Sequence, residues 1–159
     1  EVEEKGQYGT FGKDWRVKYS LLAFYGTISA WRACRTGLTE QDVRLLDYSL
    51  LHALPLMATT RSKLGQTPRL YLRVQYTDDQ TFLGDLRAKL SLRRETGLED
   101  LKDVDLVFTR LLERLAGAKE RVDKIVFWAH EDFSAGEDLR KSLREVAFAV
   151  EDVQPSGRV

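Results

Sequence analysis

Apolar and polar residues alternate most regularly between Trp15 and Ala30. Val17, Tyr19, Leu21, Ala23 and Tyr25 alternate with Arg16, Lys18 and Ser20, the period of a strand. Leu22 and Phe24 make its far end apolar on both sides, so the pattern predicts a strand that is central at one end. Its basic beginning faces solvent or a ligand. The period then lengthens. Val43, Leu46, Leu50, Leu54 and Met57 fall on one helical face after Thr39-x-x-Asp42, a capping pair, and Pro55 is placed to kink or end that helix in its last turn.

Alternation returns at Leu70–Tyr76, with Leu70, Leu72, Val74 and Tyr76 on one face and Tyr71, Arg73 and Gln75 on the other. A turn through Thr77–Gln80 and a second run, Thr81–Leu86, predict a hairpin. Residues 87–102 are charged and carry no clear period. Asp103 or Asp105 caps a second helix with Val104, Phe108, Leu111 and Leu115 inward and Gly117 at its stop. Ile125–Trp128 reads as a short buried strand. Ser134-x-x-Glu137 is a capping box for a last helix with Leu139, Leu143, Val146 and Val150 inward.

The predicted order is β-α-β-β-α-β with a terminal helix, a ferredoxin-like, RRM-like α+β fold in which helices cover one face of an antiparallel sheet. Residues 1–14, with Gly6, Gly9 and Gly12 three apart, form a flexible lead-in; 15–150 make one domain, and 151–159 a tail. The glycine spacing is not the dinucleotide fingerprint, and no strand precedes it.

Charge sharpens this picture. The whole chain is formally neutral, yet residues 5–73 hold eleven Lys/Arg against four acids, while 74–159 hold fourteen against eighteen. A basic front and an acidic back suit a protein that binds a polyanion on one side, and equally subunits stacked head to tail. The basic residues concentrate in Thr60–Arg69, a stretch that Gly65 and Pro68 keep irregular, with no acid from Tyr48 to Thr77. Arg61, Lys63 and Arg69, with the Ser62 hydroxyl and the backbone around Gly65, offer charge-assisted bonds suited to phosphate oxygens. A merely solvated basic loop is the plain alternative. Lys18 and Arg16 add cations from the first strand. On the hairpin, Tyr71 beside Arg73 on an open face could stack a base, or could simply be solvated.

Catalytic signals are sparse. There are two histidines, His52 and His130, and neither a Walker A sequence, H-E-x-x-H nor a cysteine zinc pattern occurs. Asp85, His130 and Asp132 are the residues from which a metal-dependent endoribonuclease would be built. No cofactor is called for. A single cysteine, Cys34, excludes an internal disulfide framework and fits a reducing compartment; with no apolar run of membrane-spanning length, the expected location is cytoplasmic. The chain opens at Glu1 without an initiator Met and reads as a fragment of a longer protein.

Four blocks, Tyr19–Gly26, Thr36–Val43, Thr60–Gln66 and Pro68–Tyr76, together resemble the Csh-type backbone subunit of type I-B CRISPR Cascade effector complexes, a branch of the RAMP superfamily. The resemblance spans about residues 9–86; beyond that only a general outline of the family's C-terminal region is shared. It implies a modified ferredoxin-like fold and copies of the chain polymerised as a helical filament along a guide RNA. Other Cascade subunits flank that filament, and target DNA is recognised through the guide. Grip on the RNA backbone is then independent of sequence, because phosphate contacts position a strand without reading it, and base pairing supplies specificity. Family chains are about twice as long. Their N-terminal half, with an Asn-Pro-Asn-Gly-Asp-like segment, has no counterpart in this sequence, so the resemblance implies a C-terminal portion. Related RNA-cutting subunits carry their catalytic aspartate in that other half, which implies a non-catalytic role. A purely structural assembly domain is the remaining alternative.

Overall fold

The computed structural model describes residues 18–57 and 64–153. Two helices come first. α1 (Ala30–Thr36) is started by the Ser29 hydroxyl, which accepts from Arg32 N–H, and ends at Gly37 in the left-handed conformation (φ 72°). α2 (Glu40–Leu56) opens on the expected capping box: Thr39 N–H donates to Asp42 at 2.8 Å, and Asp42 N–H to Thr39 Oγ1 at 3.2 Å. The Thr39 hydroxyl and backbone N–H hold the Asp42 carboxyl below its ordinary value. Pro55 lies in the last turn, and the helix stops one residue later.

A three-stranded sheet, ordered β1 (Leu70–Tyr76), β4 (Val122–Ala129) and β5 (Val150–Asp152), carries the core. β1 runs antiparallel to β4, with Leu72 opposite Phe127 and Val74 opposite Ile125, and an irregularity at Gln75/Tyr76. β5 joins the other edge of β4 in parallel, after the crossover through α4 (Ser134–Glu145). A separate two-stranded ribbon pairs β2 (Ser91–Leu92) with β3 (Leu106–Val107), and α3 (Thr109–Ala116) follows it.

On one sheet face Ile125 and Phe127 meet Leu111 and Leu115 of α3, Leu139 and Leu143 of α4, and Leu83, Ala118 and Phe148 from the connections. Leu70, Leu72, Val74 and Tyr76 pack against this cluster from β1, the face that the alternation assigns them. Complete burial of a side chain of this size stabilises the fold by about 1.5–3 kcal/mol, and Phe127, Leu115, Ile125, Leu139 and Leu143 are all sealed from solvent. α4 lies so close to β4 that a Cβ built on Gly136 would stand 2.5 Å from the Ala129 Cβ. α4 closes in a left-handed turn at Ala147 (φ 62°). There Ala147 N–H reaches Arg144 O, and Phe148 N–H reaches Leu143 O, the paired bonds of a Schellman ending.

The fold is therefore mixed α+β and compatible with the ferredoxin-like class, but its order of elements differs from the expected one. No strand occupies the described part of 15–30; residues 19–29 are irregular and mostly exposed. The predicted hairpin is absent as well. Asp78 accepts from Gln80 N–H, Thr81 N–H and the Thr81 hydroxyl, and this turn sends Leu83 down into the core, so β1 pairs with β4 instead. Neither Asp103 nor Asp105 caps α3: Asp100 and Asp103 box a single 3-10 turn (Leu101–Asp103), and Asp105 pairs with Arg93. Ser134 is the first residue of α4, with no side-chain cap before it, and Val150 belongs to β5 rather than to a helix. The expected stripe of α2 is largely exposed at Leu46, Leu50 and Met57, whereas Asp47 and Leu51 are buried.

Candidate nucleic-acid interface

Of the predicted site residues, Arg16, Arg61, Ser62 and Lys63 lie outside the described residues. Gly65 has φ 83°, a conformation that a side chain would strain. The far end of the basic stretch is fastened to the sheet, since Arg69 O accepts from His130 N–H at 3.0 Å, just past the end of β4. Arg69 itself is half-buried and lines a cleft of about 450 Å³ with Asp100, Leu101, Lys102, Asp132, Phe133 and Ser134. The basic stretch is thus tied to a part of the chain to which the sequence assigned no role in holding RNA. Lys102 is a cation at this cleft that the sequence reading missed; only the Asp100-x-x-Asp103 spacing hints that this charged region turns in an ordered way.

Lys18 is exposed and meets the equally exposed Glu99 at 2.7 Å. Such a solvated pair contributes little and leaves the ammonium accessible. Arg73 corrects the expectation of an open face. Its Nε and Nη2 each donate at 2.8 Å to Asp47 of α2, its Nη1 donates to Gln75, and Tyr71 O–H donates to the same carboxylate at 2.6 Å. Asp47 retains 3% exposure and is the buried charged side chain among the described residues. Burial first, then the bond to Asp47, drives the Tyr71 hydroxyl far above the ordinary phenol range. Asp47 in turn raises the Arg73 pKa against the opposing effect of burial. This knot fixes α2 over the outer face of the sheet. Sequence reasoning missed Asp47, although one signal was present: it is the sole acid between Val43 and Thr77. A lone carboxylate there has only cations and hydroxyls to serve.

Asp85, His130 and Asp132 are not gathered into a metal site. Asp85 caps the 3-10 turn Leu86–Lys89 and is held below the ordinary carboxylate range, chiefly by its hydrogen bond from Arg87. His130 Nδ1 lies 3.4 Å from the Asp132 carboxylate and accepts from Asp132 N–H. No group of three His, Cys, Asp or Glu among the described residues is placed to hold a metal ion. His52 stacks on Tyr48 and bonds to its carbonyl. No helix among the described residues is long and apolar enough to cross a membrane.

Sheet, helices and anchored basic stretch together define an α+β domain compatible with the ferredoxin-like RAMP class. Comparison with known proteins narrows this. A family model described as CRISPR-associated protein Cas7 matches residues 1–109. The CRISPR-associated protein Cas7 of Haloferax volcanii is 38% identical over 114 residues, which cover 70% of this chain and 34% of that protein. The chain belongs to the Cas7 family of CRISPR-associated proteins. The matched segment is about a third of that relative's length.

Proposed function

We propose that this chain is the C-terminal portion of a non-catalytic, Csh-type backbone subunit of a type I-B CRISPR effector complex. Copies polymerise along guide RNA, hold its phosphates without regard to sequence, and present the guide for pairing with target DNA in antiviral defence. The observation that carries this reading is the family match over residues 1–109, which contains the whole acid-free stretch from Tyr48 to Thr77. Arg61 and Lys63 contact phosphates, Ser62 and Gly65 shape the loop, and Arg69 supports it from the sheet edge. Arg16 and Lys18 add contacts from the chain's beginning. Arg73, already engaged by Asp47, serves to hold the sheet face.

A salt titration of binding to a fluorescent single-stranded RNA of arbitrary sequence tests this, with the Arg61→Ala/Lys63→Ala variant alongside. The expected outcome is binding that weakens steeply with salt and ignores sequence, with the slope reduced by roughly 0.7 per lost phosphate contact in the variant. Equal behaviour of the two proteins would refute the assignment of these residues.

A further inference from the structure

We infer that α1 is a second single-stranded RNA contact, at which Trp31 stacks an unpaired base while Arg32 and Arg35 hold the adjoining phosphates. This rests on the RNA-binding reading above but uses residues that it does not. Trp31 is 62% exposed, and no residue of α1 is buried, so the helix contributes nothing to the core. A tryptophan left in water on a helix carries a cost that packing would normally remove. The Arg35 guanidinium lies over the ring, 5.2 Å from its centroid, one helical turn on. That contact fixes the indole and leaves much of its surface to solvent. Arg32 lies between them in the helix.

The charge around the ring selects the occupant. From Trp15 to Thr39 there is no Asp or Glu, while Arg16, Lys18, Arg32 and Arg35 are all cations. A flat aromatic surface flanked by guanidinium groups, in a stretch of sequence without carboxylates, complements a strand of alternating bases and phosphates. Every base has a π-face, so the contact tolerates any sequence. The exposed aliphatic residues Leu46, Leu50 and Leu56 belong to α2, and Ile28 and Leu38 flank α1 itself.

The test is anisotropy binding of the 159-residue chain to a fluorescent oligouridylate and to an abasic strand of equal length, for wild type, Trp31→Ala, Arg32→Ala/Arg35→Ala and Arg61→Ala/Lys63→Ala. Trp31→Ala should weaken oligouridylate binding about tenfold and leave the abasic strand unchanged, because stacking needs a base. The double Arg variant should weaken both and lower the salt slope by about 1–1.4. As no residue of α1 is buried, Trp31→Ala and Arg32→Ala/Arg35→Ala should keep the wild-type melting temperature. Unchanged RNA affinity in Trp31→Ala, while Arg61→Ala/Lys63→Ala binds more weakly, overturns this inference and spares the function. A shift in oligomeric state without a change in RNA affinity also overturns it, assigning α1 to a protein contact. If wild type binds neither strand, the functional reading itself fails and this one with it.

Discussion

Asp47 is a polar residue whose loss the structure makes costly. Its carboxylate receives two bonds from Arg73 and one from Tyr71, all between 2.6 and 2.8 Å, in a site that water barely reaches. Asp47→Ala removes all three and leaves the Arg73 side chain, itself only 18% exposed, as an uncompensated cation. Breaking a buried pair from one side costs about 3–5 kcal/mol. Part of the guanidinium can turn to solvent, so about 3 kcal/mol is expected. Asp47→Asn retains the shape but lacks the charge and should lose about 2 kcal/mol, since hydrogen bonds to charged groups are worth roughly 1.5–3 kcal/mol. Urea unfolding followed by circular dichroism gives the comparison, with a double-mutant cycle through Arg73→Met. If Asp47→Ala in the Arg73→Met background costs as much as in wild type, the coupling is absent and the argument fails. The reverse result, a substantial part of the loss recovered in the double variant, is the expected one.

Other consequences can be measured on the same protein. Tyr71 holds its proton far more tightly when folded, so stability is fully present below the ordinary phenol value near 10 and falls as pH rises through it, because only the unfolded chain then releases the proton. Tyr71→Phe should flatten that alkaline decline in urea midpoints measured between pH 8 and 11. Gly136→Ala drives a methyl against Ala129 and should cost about 1–3 kcal/mol, visible as a lower thermal midpoint; a neutral result would mean α4 is not seated so closely on β4. Ala147→Gly relieves a left-handed residue and should raise stability by about 0.5–1 kcal/mol, whereas Ala147→Val should lower it.

Much of the local structure could be read from the sequence because its causes are local. Thr39 and Asp42 are three residues apart and cap α2 with their own atoms, so the start of that helix needs no tertiary context. The two faces of β1 follow from strict alternation, and the apolar run at Ile125–Trp128 marks a central strand. What stayed hidden depends on partners far along the chain. Alternation at Val17–Tyr25 shows that a segment would suit a sheet, but a strand exists only where another strand accepts its hydrogen bonds, and the sheet's described members are β1, β4 and β5. The hairpin failed because the Asp78 turn redirects the chain and Leu83 gains more from the core than from pairing. The buried face of α2 was missed because hydrophobicity pointed to Leu46 and Leu50, while the sheet's outer face presents Tyr71 and Arg73, which demand a carboxylate. At the interface, the composition of Thr60–Arg69 was legible; its attachment to His130 and its neighbourhood with Lys102 were not, since both depend on chain more than thirty residues downstream.

The pairing of β1 with β4 sets a schedule for synthesis. β1 leaves the ribosome more than fifty residues before the strand that receives it is complete, a delay of about 3–10 s at ordinary translation rates. Until Val122–Ala129 emerges, Leu70, Leu72, Val74 and Tyr76 have neither ladder nor core. A chain cut at residue 109, where the family match ends, would therefore present a naked sticky edge in place of a finished sheet. The anchor at Arg69 also waits for His130, so the end of the basic stretch is fastened to the sheet only after about sixty further residues have been made.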